Sequence, residues 1–302
     1  MSGNLNKELD LTLRLGMRSM FRLGFDIEPK PFKRMGMSYE LWHNIHQDIN
    51  TCGKSSDNIS YIYQKANVKL FSFDAMNFNC ELGMGWEHYH IIKGLWNDNS
   101  MVDFNTNEHY FNYHVNLRYN NEDNHYFTRR GTRAEVNYAY YTNNFIQWHG
   151  HSGFSAVSAM WQTTVSLAEN TQLRPRLQGR LLFGEDLPIM KSNVVGGMTY
   201  GKFFPQQLPL EGFGNAEFFD SKFLSASLQL QQRLTGRHYL LLDGSVAENN
   251  DTLGDIFDRK PIWGTRIAYF YNSGILGPMG ASLGWSSHTH RVNFYVSLGF
   301  DF

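Results

Sequence analysis

Nowhere in this chain is there a run of about 18 apolar residues, and its mean hydropathy is negative, so it encodes no transmembrane helix. Cysteine is nearly absent, with only Cys52 and Cys80 present. Two cysteines make no disulfide framework. They flank a predicted strand and could pair in an oxidising envelope, a question the sequence leaves open. Charged residues make up only 18%, with 27 Lys and Arg against 28 Asp and Glu. That balance lacks the basic excess of a nucleic-acid binder, so no nucleic-acid partner is expected. No helical period, heptad or long linker interrupts the chain, which predicts one domain over residues 1–302. The opening Met1-Ser2-Gly3-Asn4 shows no charged-then-apolar leader. The expectation is an excised domain with a new start.

What the chain does have is alternation. Aromatics reach 15% and glycine 27 residues. In Arg291 to Phe302 the residues Val292, Phe294, Val296, Leu298, Phe300 and Phe302 are apolar, and those between them are polar, small or amphipathic. Successive strand residues point to opposite faces, so one face of this strand suits hydrocarbon and the other water. Residues Glu8 to Arg18 repeat the pattern, with Leu9, Leu11, Leu13, Leu15 and Met17 on one side and charges of both signs on the other. A soluble antiparallel sandwich would alternate in the same way. A bilayer admits only helices or closed barrels, because backbone polar groups cannot go unpaired in lipid. A barrel conceals its hydrophobicity by alternating it.

Further strands are predicted at Met20–Ile27, Phe32–Trp42, Ser60–Phe73, Met76–Ile91, Phe111–Tyr119, Thr132–Tyr141 and Phe154–Leu167. Beyond them come Gln172–Leu182, Phe223–Leu234, Tyr239–Val246 and Ile262–Tyr271. Polar turns separate them, and Asn120 to Asn124 reads as a hairpin tip. The fold class expected is all-β, a transmembrane antiparallel up-and-down barrel of about 14–16 strands, with 16 as the specific expectation. Gln172–Leu182 sets Arg174, Arg176 and Arg180 along one face, where a lumen would supply acidic partners or anions. Pro175 in the same run predicts an interruption or an edge there.

Chemical motifs are sparse. Gly150-His151-Ser152-Gly153-Phe154 fails the nucleophile-elbow pattern, because Phe stands where the second glycine is required. His149, His151 and Ser152 cluster in a loop-like stretch. A lipase site there would need base and nucleophile within hydrogen-bond reach. The histidine pairs His43/His46, His88/His90, His149/His151 and His288/His290 fall near strand ends without recurring acidic or cysteine ligands. No metal and no cofactor are expected.

The last 110 residues carry a resemblance. Gly196-Gly197-Met198-Thr199-Tyr200-Gly201 leads through Lys202, Phe203, Phe204 and Pro205 to Pro209-Leu210-Glu211-Gly212-Phe213. This resembles the inward-folded sixth extracellular loop of the BamA/TamA superfamily of outer-membrane barrels. Tyr239 to Val246 is similar to the family strand that presents an inward acid, here Asp243. Gly277-Pro278 opens the next-to-last strand as in that family, and Phe294, Phe300 and Phe302 match its C-terminal barrel signal. The resemblance implies a bacterial outer-membrane location. It also implies contact with outer-membrane lipid and lipopolysaccharide, and delivery by the barrel-assembly machinery. Where that loop carries Arg, this chain has Glu211, so the usual pairing with Asp243 cannot form, and two facing acids repel unless separated or bridged.

That variant is similar to the C-terminal barrel of Bacteroidota patatin-like phospholipases. It implies a covalently linked N-terminal lipase domain, with its Gly-x-Ser-x-Gly elbow upstream, that the barrel would anchor, position or export. On this reading the chain itself is not an enzyme. Insertion or secretion of other polypeptides is the second reading, and a stand-alone lipase built on Ser152 the third. The loop Glu211-Gly212-Phe213 is expected to plug or brace the lumen near Asp243 and the row Arg174, Arg176 and Arg180, one of which Glu211 would meet if it braces, and Arg233 is expected to face the lumen as well.

Overall fold

The computed structural model describes residues 7–15, 18–28, 34–48, 58–93, 96–97, 100–101, 106–150, 152–196, 204–213, 216–274 and 276–298. Its strands, in chain order, begin with β1 (Lys7–Arg14), β2 (Arg18–Ile27), β3 (Met35–Asp48), β4 (Asn58–Ala75) and β5 (Phe78–Lys93). Next come β6 (Trp96–Asn97), β7 (Ser100–Met101), β8 (Thr106–Asn120), β9 (Gly131–Thr142), β10 (Phe154–Ala168) and β11 (Thr171–Phe183). The remainder are β12 (Asn193–Gly196), β13 (Ala216–Phe219), β14 (Lys222–Arg233), β15 (His238–Asn250), β16 (Ile262–Asn272), β17 (Pro278–Ser286) and β18 (Val292–Leu298). Fourteen of them form one antiparallel sheet, while β6–β7 and β12–β13 are separate two-stranded pairs. Wall strands pair with their neighbours in chain order from β1 to β18. Among the described residues no ladder joins β1 to β18.

Fourteen wall strands, rather than sixteen, correspond one to one with the alternating runs of the sequence. No helix among the described residues is long and apolar enough to cross a membrane. The faces are inverted relative to a soluble sandwich. Leu9, Leu11 and Leu13 on β1, Leu177 on β11, Leu228 on β14, and Phe294 (68% exposed) on β18 lie open on the outside. Gln162, Gln172, Gln178, Gln231, Asn112 and Ser245 are buried within. Apolar side chains facing out and polar ones facing in suit lipid around a polar lumen.

Three local expectations change. Met76 and Asn77, read as the start of a strand, have φ of 50° and 70° and form the two-residue turn between β4 and β5. Positive φ at both positions is what a type I′ hairpin requires. Pro175 does not mark an edge, since it pairs with Leu228 across β11–β14. Its effect is confined to the other side, where the ladder to β10 runs from Gln162↔Arg176 directly to Val165↔Leu173. Proline has no N–H to give that neighbour. Finally, the turn expected at Asn120 to Asn124 is present between β8 and β9 but extends to residue 130, and it sends Glu122, Phe127 and Thr128 inward while Asn121, Asp123, Asn124 and His125 stay exposed. Cys80 is half-buried on β5, and Cys52 lies outside the described residues.

Leu228 sits in mid-strand on the outer face, so Leu228→Arg is expected to cost about 2–4 kcal/mol in lipid. Urea unfolding of the protein in bilayers measures this. A loss below about 1 kcal/mol would place Leu228 near the interface instead.

The loop that fills the lumen as candidate functional site

The inner face carries an anomaly at the end bearing the longer connections. Tyr61, Tyr63, Tyr89, Ile91, Tyr110 and Phe154 point inward and are fully buried or nearly so. A wet lumen does not call for such a lining, so something apolar must cover it. The cover is the 184–221 connection between β11 and β14, the fifth at its end counted from β1. Pro188, extended at φ −70°, leads into a single 3-10 turn at Ile189–Lys191. Strands β12 and β13 pair antiparallel, and Leu208 adds a parallel bridge to Val195. The Gln207 amide donates to the Gly196 carbonyl at 2.5 Å and closes the loop on itself. Met190, Val194 and Phe204 complete the aromatic cluster on the wall. Val195, Leu210 and Phe213 form a second cluster with Phe223 and Ala247.

The tip is seated on backbone. Gly212 has φ +87°, a conformation that favours glycine. A Cβ at Gly264 of β16 would overlap the Glu211 carbonyl, and one at Gly284 of β17 would lie 3.0 Å from the Gly212 Cα. The two wall glycines therefore form a notch that admits the turn. The Asn293 amide of β18 donates to the Gly212 carbonyl at 3.0 Å. Gln178 of β11 donates to the Pro209 carbonyl at 2.5 Å. His288, between β17 and β18, places Nε2 2.7 Å from the buried Glu217 carboxylate and its ring against Phe213 and Phe219.

Glu211 and Asp243 do not face one another in conflict, because each has its own cation. Arg176 Nη2 lies 2.5 Å from Glu211 Oε1. Asp243 accepts from Arg266 Nε at 2.8 Å and from Gln229 at 2.6 Å. Arg180 is buried and donates to the Lys191 and Ser192 carbonyls and to Asn193 Oδ1, which fixes the root of the loop. Arg174 Nη2 lies 2.7 Å from Glu122 Oε1. Arg233 stands apart at the end of β14, where it donates to the Gly236 carbonyl of its own hairpin. Phe294 faces outward, Gly277 has φ +79° just before Pro278, and Phe300 and Phe302 lie outside the described residues.

A second anchor holds the loop to the opposite wall. Lys191, 3% exposed, forms an ion pair with Glu87 of β5. Its ammonium lies 4.6 Å from the ring centroid of Tyr141, 5.0 Å from Tyr110 and 5.2 Å from Tyr89. Burial pushes the Lys191 pKa down from the ordinary lysine value, and Glu87 opposes that shift. Asn112 donates to the other Glu87 oxygen at 3.0 Å.

At the opposite end of the lumen the 121–130 connection reaches inward with Glu122 and Phe127. Glu122 accepts from Gln162 at 2.8 Å as well as from Arg174. Phe127 stacks on Tyr239 at 3.9 Å and packs against Phe270. Between the two inward segments lies a cavity of about 690 Å³, lined by Lys65, Glu87, Arg133, Arg174, Arg176 and Lys191 among others.

The residues missed from sequence are Lys191 with its tyrosines, Glu122, Arg266, and the glycines Gly264 and Gly284. One signal was available, the inward row of aromatics on β4, β5 and β8. Of the histidines, His88 stacks on His109 with ring centroids 4.4 Å apart, and His90 meets Asn107 at 3.0 Å. Ser152 is exposed, and His151 lies outside the described residues.

Two substitutions test the seat. Glu211→Gln should strand the Arg176 guanidinium and cost up to about 3–5 kcal/mol, read as a lower unfolding midpoint. Gly264→Val should push the tip off the wall and expose the 184–221 segment to protease. A loop as resistant as wild type in that variant would mean the notch does not hold it.

The family model described as the OMP85 superfamily matches residues 24–302. No curated protein sequence matches the chain. Among solved structures, the fold is similar to BamA from Haemophilus ducreyi lacking POTRA domains 1–3, with a TM-score of 0.67 and 14% identity. That match covers 97% of this chain and 63% of that one. CdiB from Escherichia coli is similar with a TM-score of 0.57 and 13% identity, over 94% of this chain and 53% of that one. The chain thus spans about half to three fifths of the length of these two proteins. With its fourteen-stranded antiparallel sheet, apolar exterior and inward-folded loop, the chain belongs to the OMP85 superfamily of outer-membrane β-barrels.

Proposed function

We propose that this chain is the membrane barrel of a bacterial protein that inserts polypeptides into the outer membrane or passes them across it. The observation that carries this reading is the loop of residues 184–221, which crosses the lumen and is fastened to both walls by separable contacts. A passive anchor needs no such internal obstruction. A conduit that must stay shut until engaged does. The work is conformational, with Glu211-Gly212 on the glycine notch and Lys191 on Glu87 as the contacts that open, and no group of this chain performs covalent chemistry. Its surroundings are outer-membrane lipid and lipopolysaccharide, and its own insertion relies on the barrel-assembly machinery.

A second reading keeps the barrel as anchor or exporter of a covalently attached patatin-like lipase domain. What favours it is Glu211 at the loop tip, in place of the arginine that the insertase-type loop carries.

Reconstituted liposomes distinguish the two. The full-length protein should speed the folding of a small outer-membrane barrel added in urea, measured as the heat-modifiable band, relative to empty liposomes. Gly264→Val should alter that rate. Equal rates with and without the protein would sink the insertion reading. Phospholipid hydrolysis by the full-length protein, lost when the upstream Gly-x-Ser-x-Gly serine is replaced, would establish the lipase one.

A further inference from the structure

The walls of the Lys191 site and its occupant come from different parts of the molecule. Glu87 and Tyr89 belong to β5, Tyr110 and Asn112 to β8, and Tyr141 to β9. Each of these strands is hydrogen-bonded to its neighbours along its length. Trp148 stacks on Tyr110 with centroids 5.4 Å apart, and Phe154 stacks on Tyr141 at 4.9 Å. The cage is therefore part of the rigid sheet. Lys191 arrives from a single 3-10 turn of the inward loop. Three ring faces and one carboxylate around a small volume are the ingredients of an ammonium receptor, because the ring quadrupoles and the carboxylate attract the same compact cation. Asn112 steadies the carboxylate from behind. The Tyr89 hydroxyl is buried with no hydrogen-bond partner among the described residues, so it stays available to a ligand.

We propose that this cage is a binding site for a primary ammonium group, and that Lys191 is its built-in occupant. When the loop lifts, Lys191 leaves with it, and the wall offers the vacated cage to an amine carried by another molecule. The same site then works against reclosure: whatever amine occupies it competes with Lys191, and loop opening and amine binding favour each other reciprocally. This inference concerns the wall and does not depend on what the barrel transports.

The test removes the occupant and supplies it from solution. Lys191→Ala, as full-length protein in detergent micelles, should lower the thermal midpoint. Propylammonium chloride, which replaces the deleted atoms, should recover at least half of the loss. Propan-1-ol of the same size should not, nor should sodium chloride at equal ionic strength. Wild type, whose cage is filled, should gain nothing from propylammonium, and Glu87→Gln in the Lys191→Ala background should abolish the recovery. If Lys191→Ala does not hold its fold, refolding yield from urea replaces the midpoint, with the same comparisons. Absence of rescue, rescue equalled by propan-1-ol, or an equal gain in wild type overturns the proposal.

Discussion

A sheet that turns its apolar side chains toward lipid has no core of its own, and this constraint governs the rest of the molecule. The hydrophobic effect holds the outer face in the bilayer, but it leaves the enclosed space to be filled by something else. Here the filling comes from connections between strands. The 184–221 segment supplies Met190, Val194, Phe204, Leu210 and Phe213 to two apolar clusters against opposite walls. The 121–130 segment supplies Phe127 to a third, with Tyr239, Leu241 and Phe270. The stability of the wall and the closure of the lumen thus draw on the same contacts.

Charge follows from the same enclosure. A lumen walled off from bulk water is a poor place for an unpaired ion. Four ion pairs on the inner side join different elements, Lys191 with Glu87, Arg176 with Glu211, Arg174 with Glu122, and Arg266 with Asp243, while the buried Arg180 is satisfied by the Lys191 and Ser192 carbonyls and Asn193. Most of these pairs tie an inward segment to a strand.

The strands were legible because a half-lipid, half-water strand writes its two faces into alternate residues, as in Val292 to Leu298. The loop was legible in part, through Pro209 to Phe213 and through the expectation that Glu211 finds an arginine. Its choice of Arg176 was not, because Arg174, Arg176 and Arg180 are equivalent in sequence and differ only in what stands opposite. The Lys191 anchor was hidden for another reason. Lys191 and Glu87 lie more than 100 residues apart, and nothing local distinguishes either from a solvated charge. The inward course of Glu122 was not legible because Asn-Asn-Glu-Asp-Asn is turn chemistry whichever way the turn points. Gly264 and Gly284 look like ordinary strand glycines until the tip is seen resting on them.

The inward fold of the 121–130 connection changes what opening the lumen entails. The two inward segments line opposite ends of one cavity and rest on different apolar clusters. Lifting the 184–221 segment alone would leave Glu122 on Arg174 and Phe127 on Tyr239 in place at the far end. On the reading proposed above, the two segments are two constrictions in series, each held by its own contacts.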